Sequence, residues 1–198
     1  NFLESYKHEK KNMRIWVAKT IVVMAETLAI DIFRTYICPI IEALITDSEK
    51  DIRIIAINQM LPLSIICKKF GKAGIELIKN ELYSLLLISL EDKKENIRKI
   101  TMNTLKNFSE YYNDKDKFIA TIWPTIEKFS NSKKNEKKRI ISIEMIGILA
   151  STFGKNKTIT YSIPILNKLK TDQYYSVRVA ILSNLEPILC KLPLRSFS

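Results

Sequence analysis

The side chains able to do chemistry are few and scattered. The single histidine, His8, has no second His or cysteine cluster near it, so neither a zinc site nor a Ser/His/Asp triad can be assembled around it. Cys38, Cys67 and Cys190 stand far apart without a C-x-x-C pair, which predicts reduced thiols buried as small hydrophobes in cytosol or nucleus. Neighbouring acids occur at Asp47/Asp51, Glu91/Asp92 and Asp114/Asp116. Each falls where a helix begins, so caps and turns explain them better than a general acid and base. With 4 Gly and no G-x-x-x-x-G-K-[ST], a phosphate-cradling loop is missing too. Catalysis is not expected, and no metal or cofactor is implied.

Charge points to partners. The 198 residues carry 32 Lys+Arg against 21 Asp+Glu, a formal net charge of +11, which attracts acidic protein surfaces or polyanions. No apolar run reaches the length of a membrane span; the longest, near 82–90, ends within about ten residues. Residues 1–20 carry Glu4, Lys7, Glu9 and Lys10 and no secretory pattern, so a cytoplasmic or nuclear protein without membrane contact is expected. The first residue is Asn1 and neither end has a polar capping face, which reads as a piece of a longer array.

The elements that must position these side chains are disclosed by arginine. Five of seven Arg residues, Arg14, Arg53, Arg98, Arg139 and Arg178, follow one another at 39, 45, 41 and 39 positions, the period of two-helix repeats. Four and seven residues after each Arg an apolar pair recurs: Ala18/Ile21, Ile57/Met60, Met102/Leu105, Ile143/Ile146 and Leu182/Leu185, one stripe on a helix. Six residues before the Arg stand Asp47, Asp92 and Asp172, with His8 and Lys133 at the other two places. An N-capping role suits these acids. Pro39, Pro124 and Pro164 predict a kinked first helix, and Gly71 and Gly154, each in Phe-Gly-Lys, predict left-handed helix ends. The layout is first helices near 31–46, 73–91, 116–130 and 157–171, and second helices near 10–28, 49–69, 94–112, 136–152 and 174–191. Trp16 and Trp123 fall in helical patterns as core residues. An all-α, right-handed α-solenoid of about five HEAT-type repeats follows, the first partial, with units near 1–28, 29–70, 71–113, 114–153 and 154–198.

Several stretches carry a family likeness: Cys38-Pro-Ile-Ile-Glu-Ala-Leu through Asp47, Asp51-Ile-Arg-Ile-Ile-Ala-Ile-Asn-Gln-Met-Leu-Pro, Ala120-Thr-Ile-Trp-Pro, and Ile163-Pro-Ile-Leu through Asp172 to Val177-Arg-Val-Ala. In type and order they resemble the HEAT repeats of the scaffold (A) subunit of protein phosphatase 2A and related phosphatase regulatory subunits, over most of the chain and in the C-terminal half of that scaffold. The resemblance implies a non-catalytic platform whose inter-helix turns hold a phosphatase catalytic or regulatory subunit. Here those turns are 48–52, 93–97, 131–138 and 173–177, and the partner-facing candidates are Lys50, Asp51, Lys94, Glu95, Lys134, Lys137, Lys138, Tyr174 and Tyr175. Lys50, Asp51 and Glu95 stand where the family carries aromatic and Arg residues.

Stacking of equivalent units predicts a structural ladder in which each Asp pairs with the next unit's Arg: Asp47, Arg53, Asp92, Arg98, Arg139, Asp172 and Arg178. Lys133 at an Asp position would leave Arg139 in need of another acceptor, with local opening there that hydrogen exchange would register. Lysine density at 7–14, 93–99 and 133–139 falls on the turn ridge, either as a solvated face enriched in Lys by composition or as a strip whose charge steers an acidic partner. The rival is a HEAT-repeat nucleic-acid binder or nuclear-transport-type adaptor using the same ridge, with Tyr111, Tyr112, Tyr174 and Tyr175 as stacking candidates.

Overall fold

A computed structural model describes residues 10–109 and 115–190, and every regular element among them is helical. His8, Tyr111, Tyr112 and Asp114 lie outside the described residues. The chain divides into two compact units, Asn1–Asn107 and Phe108–Ser198.

In the first unit, α1 (Lys11–Ala25) is followed by α2, which opens at Ile30–Ile32, passes through a π-helical stretch at Phe33–Ile37 and continues as Cys38–Ile45. Then come α3 (Lys50–Lys68), α4 (Gly71–Leu77, π-helical Ile78–Leu82, Tyr83–Ser89) and α5 (Glu95–Ser109), whose last two residues belong to the second unit. The second unit holds α6 (Lys115–Ser130), α7 (Glu136–Lys157), α8 (π-helical Thr158–Ser162, then Ile163–Leu169) and α9 (Tyr175–Leu189).

Packing follows the periodicity. In the first unit α3 packs on its hairpin partner α2 and on α1, and α2 packs on α4, so like helices stack on like. The second unit repeats this: α7 packs on α6 and α9, and α6 on α8. Four of the five expected apolar pairs are buried, from Ala18/Ile21 to Ile143/Ile146. Burying each such side chain contributes about 1.5–3 kcal/mol, so this stripe is the main source of cohesion between helices. The fifth pair departs: Leu182 is 68% exposed, and α9 turns Val177, Ala180, Ile181 and Ile188 inward instead. Trp16 also departs from its expected core position, with 56% of its surface exposed. It lies two residues from buried Ala18, about 200° round the helix and so on the opposite face. Trp123 is half-buried, edge-on to Phe153 at 6.0 Å between ring centres and tilted against Tyr161 at 5.1 Å. Cys38 and Cys67 are buried as expected, but Cys190 is exposed.

Bends in the first helices have a different origin from the expected one. Pro39 and Pro164 sit at the start of the α-helical segments that follow π turns, where a missing N–H costs nothing. Yet α4 makes the same five-residue π turn, 78–82, without any proline, while α6 carries Pro124 in a continuous helix. The wide turn is therefore independent of proline. Gly71 and Gly154 have φ of 60° and 68°, as their place after the second helices requires. At Gly154 ψ is 176°, a region open essentially to glycine alone, and it breaks α7 at that point.

Candidate functional site

Between the helices of each hairpin the chain makes one sharp turn, and in three of them an aspartate organises it. Asp47 Oδ1 accepts the Glu49 amide at 2.9 Å, Asp92 Oδ1 the Lys94 amide at 2.8 Å, and Asp172 Oδ1 the Tyr174 amide at 3.0 Å. These are turn-forming bonds two residues along the chain and not N-caps; the N-cap positions are held by Glu49 and Tyr174, whose side chains make no cap bond. The Arg of the same hairpin closes the turn from beneath. Arg53 Nη1 donates to the carbonyls of Asp47 and Ser48 at 2.8 and 3.0 Å, and Arg178 Nη1 to those of Asp172 and Gln173 at 2.7 and 3.3 Å.

The rest of each guanidinium reaches the neighbouring hairpin. Arg14 grips Asp47 through Nε (2.8 Å) and Nη2 (3.1 Å), Arg53 grips Asp92 (2.6 and 3.2 Å), and Arg139 grips Asp172 (2.6 and 3.0 Å). The ladder thus runs opposite to expectation: Arg14, Arg53 and Arg139 each pair with the Asp of the following hairpin. Arg139 accordingly needs no substitute acceptor. Arg98 and Arg178 have no such carboxylate among the described residues; Arg98 Nη1 holds the Asp92 and Lys93 carbonyls at 2.9 and 3.4 Å, and its buried Nε has no hydrogen-bond partner there.

The register of the second unit's first turn is also corrected. Arg139 Nη1 donates to Ser132 O, seven residues back, at 2.6 Å, whereas Arg53, Arg98 and Arg178 make the same bond six residues back. This turn is one residue longer. Ser132, not Lys133, occupies the aspartate position, and the extra residue, Asn135, caps α7 by accepting the Lys138 amide at 3.3 Å.

Beside each ladder pair lies an open groove between consecutive turns. In the first unit a groove of about 560 Å³ runs from the turn at Asp47 to that at Asp92, and in the second an equivalent one of about 580 Å³ runs from Ser132 to Asp172. Their floors match, Arg53–Asp92 against Arg139–Asp172. Their walls do not. In the first, Asp47 is already paired with Arg14, and Lys93 and Lys94 face Glu91. In the second, Ser132 replaces Asp47, Lys133 replaces Ser48, Lys168 replaces the half-exposed Ile88, and Gln173 replaces Lys93. Two positive charges are left over, and Lys168 Nζ bonds Asn131 Oδ1 across the groove.

The nine residues expected to face partners sit on these turns or the first helical turn after them; Lys50, Asp51, Lys94, Glu95, Lys134, Lys137, Tyr174 and Tyr175 are exposed and Lys138 half-exposed. Tyr174 and Tyr175 are braced by cations, Arg139 at 5.4 Å from the Tyr174 ring centre and Arg178 at 5.8 Å from that of Tyr175. Lys138 lies over the Phe129 ring at 5.3 Å. Glu95 is tied to Lys99 at 2.7 Å, which holds its carboxyl below the usual range. Lys168 was not singled out from the sequence, because it stands at the end of a first helix and joins the groove only when the hairpins stack.

Among the described residues no cluster of His, Cys, Asp and Glu has a metal-binding arrangement, and no helix is long and apolar enough to cross a membrane. No family model matches the chain, and no curated protein matches it. Among solved structures it is similar to Cex1p, with a TM-score of 0.59 and 14% identity over 94% of this chain and 35% of that one. An engineered protein is also similar, at a TM-score of 0.45 and 13% identity over 95% and 79% of the two chains. The likeness to Cex1p is one of fold, and this chain spans about a third of Cex1p's length, 35%. An all-helical fold compatible with a helical-repeat scaffold is what geometry and comparison jointly support.

Proposed function

We propose that this chain is a HEAT-type helical-repeat scaffold that binds acidic surfaces of partner proteins through its inter-helix turns and performs no catalysis itself. The observation that carries this reading is the recurrence of exposed turn residues at one register, each turn held rigid from below by Arg–carbonyl bonds and, at Asp47, Asp92 and Asp172, a buried Arg–Asp pair. Such preorganisation lowers the ordering cost of an interface. The finer assignment, a scaffold or regulatory subunit of a protein phosphatase 2A-type complex in cytoplasm or nucleus, is supported by the resemblance of the stretches around Asp47, Trp123 and Val177.

The competing reading, a nucleic-acid adaptor, draws on the exposed and cation-braced Tyr174 and Tyr175. Their rings lie against their own arginines, which diverts those cations from phosphates. Affinity purification of the full-length protein with mass spectrometry separates the two. A phosphatase catalytic subunit among the retained proteins is the expected result for the finer assignment, and retention of RNA without protein overturns the scaffold reading. Charge reversal of Lys133, Lys134, Lys137 and Lys138 is expected to weaken partner retention while leaving helicity unchanged.

A further inference from the structure

Resting on that scaffold reading, we propose that the groove between the two turns of the second unit is a docking site for an extended, glutamate- or aspartate-rich segment of a partner protein, held by Lys133 and Lys168. The comparison of the two grooves carries this. They are built alike, on the same buried Arg–Asp floor and at nearly the same volume, so their differences are confined to the walls. At the position of Asp47 the second groove has an uncharged serine, Ser132. Where the first has Ser48 and Ile88 the second has Lys133 and Lys168, both exposed. Outside the Arg–Asp pairs, the first groove carries Lys93 and Lys94 against Glu91, whereas the second carries Lys133 and Lys168 against no acid. Lys133 has no partner among the described residues, and Lys168 meets only the neutral Asn131.

The wall chemistry favours a peptide over a nucleic-acid strand. Gln173 and Asn131 place carboxamides at the two edges, groups that both donate and accept, as a peptide backbone requires. A phosphodiester offers acceptors only.

Three proteins test this, each of full length: the parent, Lys133→Glu/Lys168→Glu, and Lys93→Glu/Lys94→Glu, which makes the same charge change at the first groove. Binding of a fluorescein-labelled oligoglutamate peptide and of a labelled oligothymidylate is measured by anisotropy at low and physiological salt, with circular dichroism as the folding control. Loss of peptide affinity by about tenfold or more in the second-groove variant, against about twofold or less in the first-groove variant, is the expected outcome. Equal losses in both would overturn the site, leaving only diffuse attraction. Tighter binding of the oligonucleotide than of the peptide, sensitive to the same two lysines, would overturn the occupant. No binding by the parent would overturn the proposal outright. Whether protein partners co-purify is read separately, so the scaffold reading can fail or stand independently of the groove.

Discussion

Arg139 and Arg98 are the same side chain in two circumstances. Arg139 is 5% exposed and holds Asp172 by two bonds, so truncating it leaves a half-buried carboxylate with only the Tyr174 amide. Arg139→Met is expected to cost about 2–3 kcal/mol. Arg98 holds only backbone carbonyls, and Arg98→Met is expected to cost about 1 kcal/mol. Urea denaturation with an unchanged slope measures both; equal costs would refute the distinction. The Arg139 hydrogen bond, helped by the Tyr174 amide, holds the Asp172 carboxyl below its usual value. Because the folded value is depressed, the pair's contribution is complete above the unfolded value, about 3.9, and disappears as pH falls through the folded one. Stability should therefore be flat near neutrality and fall below about pH 4, with a shallower acid limb in Asp172→Asn. Burial pushes the Cys38 and Cys67 thiols up to about 12. Cys190 is expected to react with a disulfide reagent in the native protein while those two wait for unfolding. Prompt modification of all three would contradict the burial.

At the scale of elements, the first helices α2, α4 and α8 make a wide π turn and a glycine joint follows the second helices α3 and α7. Gly154→Ala places a side chain at φ 68°, ψ 176°, and although open space surrounds the position, backbone strain alone should cost about 1–3 kcal/mol. Thermal denaturation checks this; an unchanged midpoint would mean that α7 simply continues through the joint. Gly147 is demanded by contact instead, since a Cβ there would meet Asn184 Oδ1 at 2.4 Å where α7 packs on α9. Helix positions followed from the 3.6-residue stripe to within a few residues of the observed bounds. The π turns did not, because they recur with and without proline and leave no residue-type signal.

Across the whole molecule, the net charge of +11 and the buried ladder predict two different responses to salt. Raising ionic strength from about 50 to 300 mM should weaken binding of an acidic partner steeply, as exposed lysines are screened within about 10 Å. The melting temperature should move little, because the ladder pairs lie where salt does not penetrate. A melting point that falls as steeply as the affinity would show that surface charge, not the ladder, holds the hairpins together.

Composition and period alone determined that the chain is helical, where its helices run, which stripe is buried in four of the five second helices, and that the turns at Asp47, Asp92 and Asp172 each carry an Asp followed by an Arg. These are local consequences of spacing, since periodicity fixes a helix face wherever the helix goes. Which way the ladder pairs, that Ser132 and not Lys133 takes the aspartate's place, and that Lys168 meets Lys133 at one groove were decided only when hairpins stacked. A one-residue turn insertion is invisible to a spacing rule, and a partner about forty positions away is selected by packing geometry rather than by any neighbouring residue.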